Sequence, residues 1–313
     1  MPTPAQTPDR ISQQLAGHTA YLAPEGFEDE LRTELGDITA TYGRLMLAPG
    51  PARPVTWTCN TWFEPQVLPC ESIGQGAKAL RAMQRNWVHY PYRCHRRAAL
   101  LVEKLPHVSA RPLRFPEPPI RAPLGSWTLL DQHTILASAR CASWFPNGEV
   151  IFEEDRIEPP NRAYLKLWEA LSLLDERPGK GDLCLDLGSS PGGWTWVLQS
   201  LGAAVISVDK APLDPRIANL PSVDFRQGSA FALEPGDLGN IDWMVCDIAC
   251  YPDRLLQLIE RWLEAGTCRR FICTIKLQGD TDHAAIQRFT ELPAGRVIHL
   301  HHNKHELTWF GGV

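Results

Sequence analysis

The sequence predicts an α/β protein in two parts: a smaller α+β region over residues 16–158, then a doubly wound, mainly parallel sheet over residues 159–313. Three observations carry this. Leu183–Trp194, LCLDLGSSPGGW, runs from an apolar strand through a glycine turn into helix-compatible sequence. After it, strand-like and helix-like segments alternate to the end, the pattern of parallel strands joined by crossover helices. Before it, short apolar and β-branched runs are broken by prolines, as expected of a less regular α+β region.

Composition sets the outer limits. With 44% hydrophobic and 21% charged residues the chain reads as an ordinary globular protein, and its length allows two cores. It contains no apolar run of about 18 residues, and MPTPAQTPDR lacks the basic and apolar regions of an export signal, so neither a membrane span nor secretion is expected. Nine cysteines are scattered without C-x-x-C spacing, which predicts a reduced, cytoplasmic protein with no structural zinc. The net charge of −5 argues against a general nucleic-acid coat, but Gly76–Gly125 holds ten Lys and Arg against two acids.

Taken in order, residues 1–15 are polar, proline-containing and expected to be disordered. Thr19–Leu22 reads as a strand. Phe27–Leu35 reads as a helix, its leading acids suiting the macrodipole and Gly36 stopping it. Arg44–Leu47 and Val55–Thr58 read as strands. Gly76–Tyr92 places Lys78, Arg81 and Arg85 on one helical face. His89–Arg97, HYPYRCHRR, then interleaves aromatics with Arg93, Arg96 and Arg97. Rings that stack on unpaired bases beside cations that neutralise phosphates make these six cations the candidate RNA contacts. Six prolines between Pro106 and Pro123 suggest an extended connector. Ser126–Ala139 and Val150–Glu154 are strand-like, and Pro146-Asn147-Gly148 suggests a hairpin turn between them.

Asn161 is a plausible N-cap for a helix to about Leu174, with Ala163, Leu167, Ala170, Leu171 and Leu174 as its core stripe and Lys166 on the flank. Strands are expected at 183–187, 204–208, 223–226, 241–246, 271–276 and 296–301, with helices near 194–200, 253–265 and 282–290. Ligands in such sheets sit at the carboxyl ends of the strands.

The turn narrows the ligand. Gly188, Gly192 and Gly193 match neither G-x-G-x-x-G nor a P-loop, and no Lys follows. Asp186 would repel phosphate but could hold an ammonium, and Asp209, about 20 residues beyond the turn, is placed to bind ribose hydroxyls. That combination fits S-adenosylmethionine. Asp186, Gly188, Ser189, Ser190, Pro191, Gly192, Gly193, Trp194, Asp209, Gln227 and Asp247 are the candidate cofactor-binding residues. At the strand ends Asp247 follows Cys246, Lys276 follows Ile275, and Glu306 follows the last expected strand, so with Lys166 two cations and two anions converge on one edge.

RAYLKLWEAL, LDLGSSPGGW, WMVCDIA, TIKLQG and HHNKHELT, in this order, resemble the motifs of the FtsJ-like ribose 2′-O-methyltransferases. Within them the likeness is greatest to the bacterial enzymes that modify cytidine in large-subunit (23S) ribosomal RNA and join an N-terminal THUMP region to the methyltransferase domain. It covers residues 160–313 densely and, earlier, rests on Tyr21–Leu31, YLAPEGFEDEL. The resemblance implies a Rossmann-like S-adenosylmethionine methyltransferase domain after a THUMP-like or related RNA-binding region. It also implies a catalytic set of Lys166, Asp247, Lys276 and Glu306, and ribosomal RNA as partner; the sequence leaves the oligomeric state open, with a monomer favoured. Where relatives often carry an adenine-binding acid this chain has Gln227-Gly228-Ser229. Other readings stay open: the same chemistry on tRNA or an mRNA cap, a non-catalytic RNA-binding protein retaining the fold, and a small-molecule methyltransferase. The histidines at 299, 301, 302 and 305 have no acid or Cys partner at zinc spacing, so no metal is expected.

Overall fold

The computed structural model describes residues 8–312. The chain divides into two compact units, Met1–Pro112 with Pro119–Ile151, and Leu113–Pro118 with Phe152–Val313.

The first unit opens with α1 (Pro8–Leu15), β1 (His18–Leu22), α2 (Glu28–Leu35), β2 (Ala40–Tyr42), β3 (Leu45–Pro49), β4 (Asn60–Phe63) and β5 (Gln66–Pro69). It continues through α3 (Ile73–Met83), β6 (Trp87–His89), α4 (His95–Val102), β7 (Gly125–Leu129), β8 (Thr134–Ser138) and β9 (Arg140–Cys141). One sheet has the order β2-β3-β1-β4-β9, the other β5-β8-β7-β6.

Several expectations are corrected here. Residues 8–15 are helical rather than disordered, because Ile11 and Leu15 are buried among Leu22, Leu45 and Trp62; residues 1–7 lie outside the described residues. Val55–Thr58 is not a strand, since the Glu34 carboxylate takes the amide protons of Thr56 and Trp57, leaving those groups no ladder to join. The hairpin is β7–β8, turned at Leu130–His133, while Pro146–Gly148 is one turn of 3₁₀ helix. The helix α3 stops at Met83, so Arg85 does not share its face.

Part of the proline-rich stretch folds into the second unit. Leu113 bridges Phe152, Arg114 pairs with Glu153, and Phe115 stacks on Trp168 with ring centroids 5.0 Å apart. The unit then runs α5 (Tyr164–Ser172), β10 (Leu183–Leu187), α6 (Gly193–Ser200), β11 (Ala204–Asp209), α7 (Pro215–Ala218), β12 (Val223–Gln227) and β13 (Ile241–Cys246). It ends with α8 (Pro252–Ala265), β14 (Cys268–Lys276), α9 (His283–Thr290), β15 (Gly295–Ile298) and β16 (Glu306–Gly311).

Its seven-stranded sheet has the order β12-β11-β10-β13-β14-β16-β15; β16 runs antiparallel to both neighbours and the remaining pairs are parallel. The doubly wound, mainly parallel α/β class is therefore the observed one. Its central strands are near-continuous apolar runs because both faces are covered. The expected strand 296–301 ends at Ile298, which places His299 and His301 off the strand, and Glu306 opens a strand instead of trailing one. No helix among the described residues is long and apolar enough to cross a membrane.

Trp309 anchors β16. It is fully buried, and an added Cβ at Gly295 or Gly311 would strike its ring. We expect Trp309→Ala to lower the free energy of unfolding by about 3–5 kcal/mol in urea titrations. A loss below about 1 kcal/mol would show that the site collapses around the smaller side chain.

Candidate active site

Four charged side chains meet at the carboxyl edge of the seven-stranded sheet. Lys166 comes from the first turn of α5, Asp247 directly follows β13, Lys276 ends β14 and Glu306 begins β16. Antiparallel pairing makes Lys276 and Glu306 register partners, which sets them side by side.

The four form a closed ring. Lys166 Nζ lies 2.9 and 2.8 Å from the two Asp247 carboxylate oxygens and 3.0 Å from Glu306 Oε1. Lys276 Nζ lies 2.5 Å from Asp247 Oδ1 and 2.7 Å from Glu306 Oε2. Each ammonium thus touches both carboxylates. Burial works against ionised Asp247, but the two ammonium groups prevail and hold its carboxyl below the usual range. Burial likewise disfavours the Lys276 ammonium, yet Asp247 and Glu306 outweigh it and push Lys276 well above the ordinary lysine value. Of the charges around Lys276, the carboxylates therefore dominate. Lys276 is the most accessible member, its side chain 22% exposed against 10%, 16% and 10% for Lys166, Asp247 and Glu306.

Beside the ring lies a cleft of ≈ 340 Å³ at the ends of β10, β11, β12 and β13. Of the sequence candidates it gathers Gly188, Ser190, Asp209 and Asp247. Gly188 has φ +79°, and a Cβ there would come within 2.7 Å of Ile248, so only glycine fits the approach of the turn to the next strand. Asp209 accepts the amide protons of Ser190 and Ala211, one on each oxygen.

The other candidates sit elsewhere. Asp186 is buried beneath the turn, where Oδ2 accepts from Thr195 Oγ1 at 2.6 Å and Oδ1 has no partner. Burial raises its pKa to about 7, against the Thr195 hydrogen bond and with help from Asp247 and Asp209. Ser189 is buried, and Pro191 accepts the Asp214 amide proton through its carbonyl. Gly192 and Gly193 pack against Ile217 and Asn161. Trp194 is buried, its indole donating to the Ala163 carbonyl and so fastening α6 to the start of α5. The Gln227 amide turns away to the Lys210 carbonyl. Sequence reasoning missed Phe231 and Arg254, which line the cleft with the guanidinium 3.9 Å from the ring centroid. A cation in the first turn of α8 carried no local signal.

In the first unit Lys78, Arg81, Arg85, Arg93 and Arg96 are exposed. Arg97 is corrected: its guanidinium donates to the Cys70 carbonyl and its Nε is buried, so it fastens α4 in place. Tyr90, one of the interleaved aromatics, is core, donating to the Tyr42 carbonyl and accepting from the Arg44 amide. All nine cysteines are free, and among the described residues no group of three His, Cys, Asp or Glu could hold a metal ion.

Comparison with known proteins bears on the family of the second unit. Residues 159–289 match the family model of the FtsJ-like methyltransferases. A protein named ribosomal RNA large subunit methyltransferase M from Halorhodospira halophila is 35% identical over 157 residues, covering 48% of this chain and 46% of that one. The protein of the same name from Xylella fastidiosa is 37% identical over 165 residues, again covering 48% and 46%. The match therefore spans about half the length of these curated relatives. A putative hemolysin from Streptococcus thermophilus, 17% identical with a TM-score of 0.41 over 53% of this chain and 74% of that one, is too loose a likeness to carry functional weight. The second unit of this chain contains, over residues 159–289, an FtsJ-like methyltransferase domain.

Proposed function

We propose that the chain is an S-adenosylmethionine-dependent RNA ribose 2′-O-methyltransferase acting in the cytoplasm on large-subunit ribosomal RNA. The observation that carries this reading is the closed ring of Lys166, Asp247, Lys276 and Glu306 beside the cleft at the carboxyl edge of the sheet. The names of the relatives support the substrate. The exposed Lys78, Arg81, Arg85, Arg93 and Arg96 support a first unit that holds RNA phosphates, in the manner of a THUMP or related region.

The residues fit the cofactor. Asp209 retains an unused lone pair on each oxygen for ribose hydroxyls, Gly188 keeps the cleft wall clear, and the unpartnered Asp186 Oδ1 is complementary to an ammonium. Bound S-adenosylmethionine supplies an electrophilic methyl group. A ribose 2′-hydroxyl must lose its proton as its oxygen bonds to that methyl. Lys276, the most accessible ring member, takes that proton. In the free protein the two carboxylates keep Lys276 protonated. A positive charge brought beside Asp247 opposes them and moves the ammonium toward neutrality. Lys166 and Glu306 keep Lys276 in line with the reacting oxygen.

The test is transfer of labelled methyl groups to total RNA from cells lacking this protein, followed by nuclease digestion. Label recovered as a 2′-O-methyl nucleotide in large-subunit RNA is the expected result; label in no RNA despite cofactor binding would defeat the reading. Lys276→Ala is expected to cut the rate by at least about 10²-fold while cofactor binding survives. Loss of both together would remove Lys276 from the catalytic step.

Cofactor binding is expected to depend on pH through Asp186. Its carboxyl is protonated below about 7 and must ionise to hold an ammonium, so affinity rises with pH through about 7, by at most about tenfold per unit. It then falls as the cofactor's own amino group, near about 7.7–8.0 in model compounds, loses its proton. Calorimetric titration across this range should show the rising limb vanish in Asp186→Asn; an unchanged limb would exclude contact with Asp186.

A further inference from the structure

We propose that Glu169 is a positioning residue for the charge ring, acting as a clasp between α5, which carries Lys166, and the segment that leads into Glu306. The inference rests on the functional reading above. Glu169 is 3% exposed, and its carboxylate accepts the His301 amide proton at 2.7 Å, the His302 amide proton at 3.0 Å and His302 Nδ1–H at 2.7 Å. A buried carboxylate is costly unless such donors surround it, so these three bonds fix where the segment can lie.

Position gives the clasp its role. Glu169 follows Lys166 by three residues, about 4.5 Å along the helix axis. His302 precedes Glu306 by four residues. The turn between is itself held, by the His299 ring on the Lys304 carbonyl at 3.0 Å and by Asn303 Nδ2 donating to Thr308 Oγ1 at 3.2 Å. The His302 ring also packs on Phe152, which packs on Trp168 beside Glu169, both at 5.5 Å between centroids.

Two links therefore join the same pair of elements: the Lys166–Glu306 ion pair and the Glu169 clasp. A ribose hydroxyl that meets Lys276 competes with Asp247 and Glu306 for its ammonium. The clasp bonds to the His301–His302 segment and not to a ring carboxylate, so it keeps Lys166 and Glu306 aligned while that competition loosens the ring. The histidine-rich run HLHHNKHELT thereby gains a use that needs no metal: it supplies backbone and imidazole donors to one buried acid.

The test uses the full chain with Glu169→Gln and His302→Ala, large-subunit ribosomal RNA and labelled cofactor, with rates expressed per cofactor-binding site. Glutamine turns an amide N–H toward the segment's own N–H groups. It is expected to lower kcat by about tenfold or more, with cofactor Kd and RNA KM within about twofold of wild type. The limb on which its rate rises as Lys276 loses a proton should move to lower pH, because Lys276 loses part of the field of Glu306. His302→Ala keeps both backbone bonds and should lose less than Glu169→Gln but more than about twofold. A kcat per binding site within about twofold of wild type and an unmoved pH profile in Glu169→Gln would overturn the inference. If that variant does not fold, the same two readouts on His302→Ala decide it in the same way. Wild-type protein that binds cofactor yet methylates no RNA would instead overturn the functional reading, and this inference with it.

Discussion

Two ammonium groups, each within 3.0 Å of both carboxylates, make with them a group of zero formal charge, and this neutrality lets four ionised side chains share the end of a buried sheet. Desolvating any one alone would cost several kcal/mol, and removing one leaves an uncompensated charge. The arrangement constrains topology as well as composition. Lys276 closes β14 at the carboxyl edge, so a neighbouring strand can deliver its first residue there only by running the other way. The antiparallel β16, with Glu306 opposite Lys276, meets that requirement; a parallel strand would start at the far edge.

The order of strands also explains where the cleft lies. From β10 the sheet is built outward in one direction through β11 and β12 and in the other through β13 and β14, so the chain leaves a crevice between β10 and β13. Gly188 and Asp247 flank it, joined across the strands by the Asp247 amide donating to the Leu187 carbonyl at 3.1 Å. Asp247 thus belongs to both the cleft and the ring. On the proposed function, this one carboxylate couples charge arriving in the cleft to the protonation of Lys276. Asp186, one layer deeper beneath the turn, is oriented through Oδ2 by Thr195, which in turn meets Ser207, and this leaves Oδ1 without a partner.

The alternation of strands and helices after residue 182 was legible in the sequence because the central parallel strands β10, β11, β13 and β14 are largely apolar runs ended by a charged or glycine residue. Asp247 and Lys276 could be placed from that pattern alone. Glu306 could not, because β16 gives no alternating signal and follows a turn whose order depends on an acid 132 residues away. Trp194 shows the same limit: its place after the glycine turn was legible, but the Ala163 carbonyl that engages its indole was not. Val55–Thr58 failed as a strand because a helix side chain 22 residues earlier takes its amide proton at Thr56.

Local charge density has a similar limit as evidence of RNA contact. Ten cations between Gly76 and Gly125 suggest a strong electrostatic surface, yet Arg97 is used inside the fold, and Arg81 gives one nitrogen to the Lys104 carbonyl. Tyr90, which looked like a stacking platform, is committed to the core, and Tyr92 is half-buried beneath Arg93. What the Gly76–Gly125 segment leaves exposed is mostly positive charge without flat aromatic faces. Such a surface neutralises phosphates, and phosphate contacts position a nucleic acid without reading its sequence. On the proposed function, discrimination of the target nucleotide therefore falls to the walls around the charge ring, where an incoming ribose must align with Lys276 before any methyl can move.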